Sequence, residues 1–239
     1  MAVTNAIDFE YDSLEYAETT AADLIESHAT AFTCEFWLRP ESTTAGGYTH
    51  MYIDNGGHYG AGQTNFCFTR EASGLMLFLM YSGENWKSCS SNAAINNGTW
   101  YHICGIWDGS EMRLYIDGVK QTETQTFTSH DTNNHNIFAV GRWSRGSSGS
   151  AGNTYYCDGT VDELRISSSV RYTTNFTPSV IEFSSDANTL GLWHFNDNAL
   201  DSGPNGYHLT EYNTPTYVAG NVSLAVTAVT GPFPTHFKV

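Results

Sequence analysis

Apolar and polar side chains alternate with a period of two over much of the chain, most clearly between Trp100 and Gly118. Trp100, His102, Cys104 and Ile106 share one parity, and Tyr101, Ile103 and Gly105 the other. Met112, Leu114 and Ile116 then alternate against Arg113, Tyr115 and Asp117. Asp108-Gly109 separates the two runs and Asp117-Gly118 follows the second, both hairpin turn signals. Such a period between turns means antiparallel sheet with one face packed inward.

The same pattern predicts strands near Ala6–Glu10, Leu14–Ala17, Phe32–Arg39, Met51–Asp54, Asn65–Thr69, Leu75–Tyr81 and Trp86–Ser90. It predicts more at Trp100–Trp107, Met112–Ile116, Ile137–Gly141, Thr160–Ile166 and Leu190–Phe195. Turn clusters such as Gly46-Gly47, Asn55-Gly56-Gly57, Asn97-Gly98 and Asp158-Gly159 divide them. Many short, closely spaced strands indicate an all-β, antiparallel two-sheet jelly-roll sandwich rather than βαβ units. Helix is confined to a turn or two at Thr20–Ser27. Residues 142–154, RWSRGSSGSAGNT, have no apolar period and read as a surface loop. Residues 1–220 are expected to form one sandwich and residues 221–239 an extended C-terminal arm.

Composition narrows the function classes. Of 239 residues, 40% are hydrophobic and 14% aromatic, enough for a real core. Ten scattered Lys and Arg against a net charge of −15 argue against nucleic-acid binding, which needs clustered cations. No run has the length and apolarity of a membrane span. The N-terminal MAVTNAIDFEYD has neither a basic start nor an apolar core, so no secretory signal is expected. Five cysteines without a CxxC pair match no metal spacing.

Two clusters carry candidate binding chemistry. Residues 46–62 bring Tyr48, His50, Tyr52, His58 and Tyr59 beside Asp54 and Asn55. Aromatic faces stack on sugar C–H surfaces while carboxylates and amides take hydroxyls, so this set suits a glycan site. The alternative is a hairpin whose tyrosines pack against neighbouring loops or another subunit. Asp197, Asp201 and Asn205, on a turn bearing Gly203-Pro204, could gather oxygens round a hard cation, calcium being the fitting one. Asp and Asn also stabilise turns by bonding their own backbone, with no metal. A Ser-His-Asp reading lacks a nucleophile elbow, and His102 reads as a satisfied core histidine.

Four segments, AFTCEFWLRP, WYHICGIWDGSEMRLYIDG, DGTVDELRIS and TLGLWHFNDNALDSGPNGYHLT, resemble the laminin-G-like and pentraxin-like branch of concanavalin A-like lectin/glucanase domains. The last normally opens such a domain, so the chain looks circularly permuted, or exchanges a strand with a neighbouring copy. The resemblance implies that Leu190–Phe195 sits in the same sandwich as the N-terminal strands. It also implies that Cys34 and Cys104 are neighbours, as a disulfide or as reduced thiols. An Asp54-Asn55 pair resembles pentraxin calcium ligands, but residues 142–154, where the completing acidic loop would fall, contain no carboxylate.

Glucanases of this fold place paired carboxylates at even spacing on one strand, and no such run exists here. Asp162 and Glu163 are adjacent and expected on opposite faces, pairing near Arg165. The run RYTTNFTPSV is similar to linkers in bacteriophage structural proteins. The implied function is a non-catalytic, lectin-like module of a phage virion, in capsid decoration or tail. It would be made in the host cytoplasm and contact other virion subunits, its own copies or cell-surface glycans. The alternatives are a carbohydrate-binding module of a larger secreted protein and a diverged glycoside hydrolase.

Overall fold

The computed structural model describes residues 3–19, 24, 30–42, 50–56, 64–82, 85–130, 137–143 and 155–223. Among these residues fifteen strands run in order β1 (Val3–Phe9), β2 (Tyr16–Thr19), β3 (Phe32–Pro40), β4 (His50–Gly56), β5 (Thr64–Arg70), β6 (Met76–Ser82), β7 (Asn85–Ser90) and β8 (Tyr101–Trp107). They continue through β9 (Glu111–Ile116), β10 (Val119–Thr126), β11 (Phe138–Val140), β12 (Gly159–Ser167), β13 (Thr189–Trp193), β14 (Thr210–Tyr212) and β15 (Thr216–Ser223). Among the described residues the only helical element is a single 3-10 turn, Tyr11–Ser13. The helix expected at Thr20–Ser27 falls almost wholly outside the described residues.

All strand pairings are antiparallel and form two sheets, β10-β9-β8-β3-β12-β1-β15 and β14-β2-β11-β4-β5-β6-β7. The two-sheet sandwich expected from the alternation is the fold observed. Its core interleaves Phe32, Phe36, Ile103 and Leu114 of the first sheet with Phe66, Phe68, Phe78 and Phe138 of the second. Gly105 sits where a Cβ would come within 2.5 Å of the Phe68 ring, so only glycine lets the sheets close there.

Strand β12 organises the first sheet. One edge carries β3, and the other carries β1 along residues 159–161 and β13 along residues 164–167. The late strand therefore lies in the same sandwich as the N-terminal strands, as the resemblance implied, and shares a sheet with β1. Strand β15 then covers β1, and β14 extends the second sheet beyond β2. Because β15 runs to Ser223, the sandwich extends three residues into the segment assigned to the arm; the remainder of that arm lies outside the described residues.

Three strands, β10, β14 and β15, were not expected. Their burial is low (Thr210–Tyr212 are all exposed), so no inward-facing apolar set marks them.

The RYTTNFTPSV run corrects the linker expectation. Residues 168–188 cross the outer face of the first sheet as a strap, with Val170, Tyr172 and Phe176 packed on Cys104, Ile106 and Tyr115. Beneath it, Glu35 is fully buried and accepts from Arg165 Nε (3.0 Å) and Nη2 (2.6 Å) and from Tyr172 Oη (2.9 Å). His102 Nε2 lies 3.3 Å from the same carboxylate without hydrogen-bond geometry, among the rings of Trp37, Phe176 and Phe183. Burial would raise the Glu35 pKa, but the His102 ring and the Arg165 charge hold it at about 2.

Candidate functional site

The strap covers the outer face of one sheet, while on the outer face of the other β6 and β7 present apolar side chains that are partly exposed. On β6 the burial alternates strictly: Met76, Phe78, Met80 and Ser82 face inward, and Leu77, Leu79 and Tyr81 are half-exposed on the opposite side. Trp86 of β7 lies opposite Tyr81 in register, meets its ring edge-on at 5.4 Å and is 47% exposed. An exposed tryptophan on a row of half-exposed leucines is the signature of a surface kept apolar for contact.

Across from Trp86 stand Trp143 and Tyr155. Their rings pack edge-to-face at 4.9 Å, and Trp143 N–H donates to the Tyr155 carbonyl at 3.0 Å. Trp86 and this pair, together with Met51, Cys67, Thr69, Glu71, Leu77 and Leu79, line a groove of about 270 Å³, in which Glu71 Oε2 accepts from Ser73 Oγ at 3.2 Å. Such a volume lies near the lower end of ligand pockets, ~300–1,000 Å³. Aromatic faces carry a negative quadrupole that attracts polarised C–H groups, and Thr69 and Glu71 supply polar contacts for hydroxyls.

Arg142 lies near the groove but is already occupied. It donates to Glu18 through Nε (3.1 Å) and Nη2 and stacks over Tyr16 at 4.1 Å, beside the Tyr16–Tyr212 stack.

The sequence-predicted aromatic cluster is only partly placed. Tyr48, His58 and Tyr59 lie outside the described residues. His50, Tyr52, Asp54 and Asn55 form part of β4 and are all buried, which corrects their reading as an exposed glycan surface. Tyr52 belongs to the core, and Asn55 lies opposite core Phe66. The His50 Nδ1 and the Tyr156 carbonyl oxygen lie 3.1 Å apart, and burial lowers the His50 pKa. Asp54 alone shares the groove's face, opposite Cys67, where with burial it raises that thiol's pKa. Trp86 lay in a predicted strand, but nothing in the sequence marked its side as the open one. Trp143 stood at the start of an apparent surface loop.

The proposed calcium turn is corrected likewise. Asp201 Oδ1 accepts from Leu192 N–H (2.8 Å) and Gly203 N–H (2.7 Å), and its Oδ2 from Tyr207 N–H (2.8 Å). Asn205 donates to the Leu190 carbonyl, and Asp197 accepts from the Asn5 amide. The three side chains serve five backbone and side-chain partners, as turn-stabilising groups do.

The cysteine pair is separated by register. Glu35 lies opposite Cys104, and Cys34 opposite Gly105, so a one-residue offset puts the thiols on opposite faces. Cys34 joins the core and Cys104 the layer under the strap; all five cysteines are free and buried.

The bulge in β12 overturns another expectation. Val161 and Leu164 both face the core although three residues apart, with a register shift between Asp162 and Arg165 and Glu163 at φ 50°. That extra residue turns Asp162 and Glu163 to the same outer side. Asp162 Oδ2 accepts from Asn221 N–H (2.8 Å), and Glu163 accepts from Phe183 N–H (2.6 Å) while its other oxygen lies 2.7 Å from His194 Nδ1. Burial, then the neighbouring Glu163, raises the Asp162 pKa to about 7. Burial also raises that of Glu163, whereas Glu163 outweighs burial to raise that of His194. Glu163, Glu182 and His194 bring donor atoms within 4.8 Å of one another. Glu182 is already bonded by the Asn196 amide, and an imidazole nitrogen is a poor ligand for calcium. These groups fasten the strap and β15 to the sheet.

A family model described as the concanavalin A-like lectin/glucanases superfamily matches residues 13–175. Similar solved folds include the native heptameric SAP-like pentraxin of Limulus polyphemus, with TM-score 0.54 and 15% identity over 71% of this chain and 78% of that one. A Bacteroides ovatus protein assigned to carbohydrate binding gives TM-score 0.66 and 13% identity over 94% of this chain and 62% of that one. The CBM40 domain of Ruminococcus gnavus IT-sialidase, bound to α2,3 sialyllactose, gives 0.51 and 14% over 72% and 95%. At these identities the likeness is one of fold. A search of curated proteins finds no match.

Proposed function

Because the chain belongs to the concanavalin A-like lectin/glucanases superfamily, we propose that it is a lectin-like, non-catalytic module that binds carbohydrate on the open face of its second sheet. One observation carries this reading: Trp86, 47% exposed, faces the Trp143–Tyr155 pair across an apolar floor. A fold neighbour bound to sialyllactose and another assigned to carbohydrate binding support it.

Where the acids lie supports the non-catalytic part. Hydrolysis of a glycosidic bond requires two carboxyl groups flanking it, and among the described groove-lining residues only Glu71 has one. Asp162 and Glu163 share a side, but on the other sheet, and both already hold backbone amides. Titration calorimetry of the purified chain against a panel of oligosaccharides tests the reading. Binding that Trp86→Ala weakens at least tenfold supports it, and no heat with any sugar refutes it.

A second reading, an architectural module at a phage virion surface that binds neighbouring subunits or its own copies, rests on the resemblance of RYTTNFTPSV to phage structural proteins. Val180 and Ile181 are exposed beside edge strand β15, a surface that such a partner would cover. Native mass spectrometry of the full chain at micromolar concentration separates the two, a stable oligomer favouring assembly and a monomer opposing it.

A further inference from the structure

We propose that Glu163, Glu182 and His194 form a binding site for a divalent first-row metal ion, zinc being the fitting one. The site lies on the outer face of the first sheet and is independent of the carbohydrate reading. Three segments distant in sequence build it. The left-handed bulge at Glu163 turns that side chain outward from β12. Leu164 pairs with Trp193, so His194, the residue after β13, arrives beside Glu163 with its Nδ1 2.7 Å from Glu163 Oε1. The strap is pinned at the same point, because Phe183 N–H donates to Glu163 Oε2 at 2.6 Å and so delivers Glu182. One donor atom of each residue lies within 4.8 Å of the other two.

The donor set decides the ion. Zinc takes imidazole nitrogen and carboxylate oxygen at about 2.0–2.2 Å, which spaces neighbouring ligands of a tetrahedron roughly 3.4 Å apart. Donors now within 4.8 Å of one another need to close by no more than about 1.4 Å, a side-chain adjustment rather than a strand movement. Calcium asks for six or more oxygens and is poorly served by an imidazole. Each carboxylate keeps one oxygen on an N–H, Glu163 Oε2 on Phe183 and Glu182 Oε1 on the Asn196 amide at 2.6 Å. Partners so placed orient a metal ligand and leave its second oxygen available. The proton shared by His194 Nδ1 and Glu163 Oε1 is what the ion replaces, and it leaves to solvent.

A second observation points to a cation. Asp162 is fully buried on the same outer side as Glu163, with Oδ2 held by Asn221 N–H and Oδ1 without any partner. Its charge reaches His194, so it sits within the field of the site. A buried carboxylate oxygen with no partner is costly, and a dication on the adjacent residues offsets that cost. Bound there, the ion would tie β12, the strap and the segment after β13 together.

Titration calorimetry of the chelator-treated full chain with zinc chloride, and visible absorption with cobalt chloride, test the site; calcium and magnesium chloride are the counter-probes. We expect one equivalent of zinc, ligand-field bands from cobalt without the charge-transfer absorption of a thiolate ligand, and no heat from calcium or magnesium. Glu182→Gln and His194→Gln, both at half-buried positions, should each weaken that equivalent at least tenfold. Hydrogen exchange at the Phe183 amide should slow when zinc is added to the unmodified chain and not when it is added to either variant. No zinc binding by the folded chain overturns the site. Affinity that either variant leaves unchanged, or cobalt bands of thiolate ligation, overturns the ligand set, and calcium binding as tight as zinc overturns the ion class.

Discussion

Replacing Glu35 by glutamine isolates the charge that holds the strap to the first sheet. The carboxylate is fully buried and bonded by Arg165 and Tyr172, and its pKa is about 2 against an ordinary 4.5. That gap corresponds to ~3 kcal/mol of stability. Truncating one partner of a buried pair costs about 3–5 kcal/mol, so the two routes agree. The lower end applies here because Arg165 keeps the Ser184 carbonyl at 3.2 Å and the Phe183 ring at 4.4 Å. The sign follows from the depressed value: this stability is present above pH 4.5 and is lost as pH falls toward 2. Glu35→Gln resembles the protonated side chain, so its difference from the unmodified chain should be ~3 kcal/mol at pH 7 and shrink toward zero near pH 2. Urea unfolding followed by tryptophan fluorescence, repeated at intervals from pH 7 to pH 2.5, measures that difference. A loss under ~1 kcal/mol at pH 7, or one that stays constant down to pH 2.5, would show that the charge does not secure the strap.

Other outcomes follow from the same coordinates. Asp162 runs opposite in sign: its pKa of about 7 means stability is drained as pH rises from about 4 through 7. Asp162→Asn keeps an oxygen for Asn221 N–H, and should raise the melting temperature at pH 8 and leave it nearly unchanged at pH 4; scanning calorimetry at both values decides. Gly118 has φ +74°, and an added Cβ would lie 1.9 Å from the Phe176 carbonyl oxygen, so Gly118→Ala should cost ~2 kcal/mol or more in urea unfolding. With all five thiols free, titration of the denatured, unreduced protein should count five, and a reductant should leave its melting temperature unchanged. A count of three would restore a disulfide.

Most of the architecture could be read from alternation because a half-buried strand writes its inward face into every second residue. All twelve expected strands are present, and the missing β10, β14 and β15 are those with too little burial to leave a period. The site was less legible, for two physical reasons. Alternation shows that Leu77, Leu79 and Tyr81 share a side, but not which side is covered; that depended on where residues 168–188 lie. Local exceptions to the period were also invisible. The left-handed Glu163 inserts one residue and brings two carboxylates together that a regular strand would separate. A one-residue register choice between β3 and β8 parts the two cysteines that a family resemblance had paired.

The edge of β12 has a consequence for how the protein is made. Its partners on that side are β1 and β13, which emerges some 180 residues after β1, while Asn5 waits for Ala219. Until β13 and β15 are synthesised, β1 and half of β12 present bare amide and carbonyl rows to every neighbouring nascent chain. Closure therefore comes only after Ala219 has emerged, and its pace is set by segments that are distant in sequence and adjacent in space.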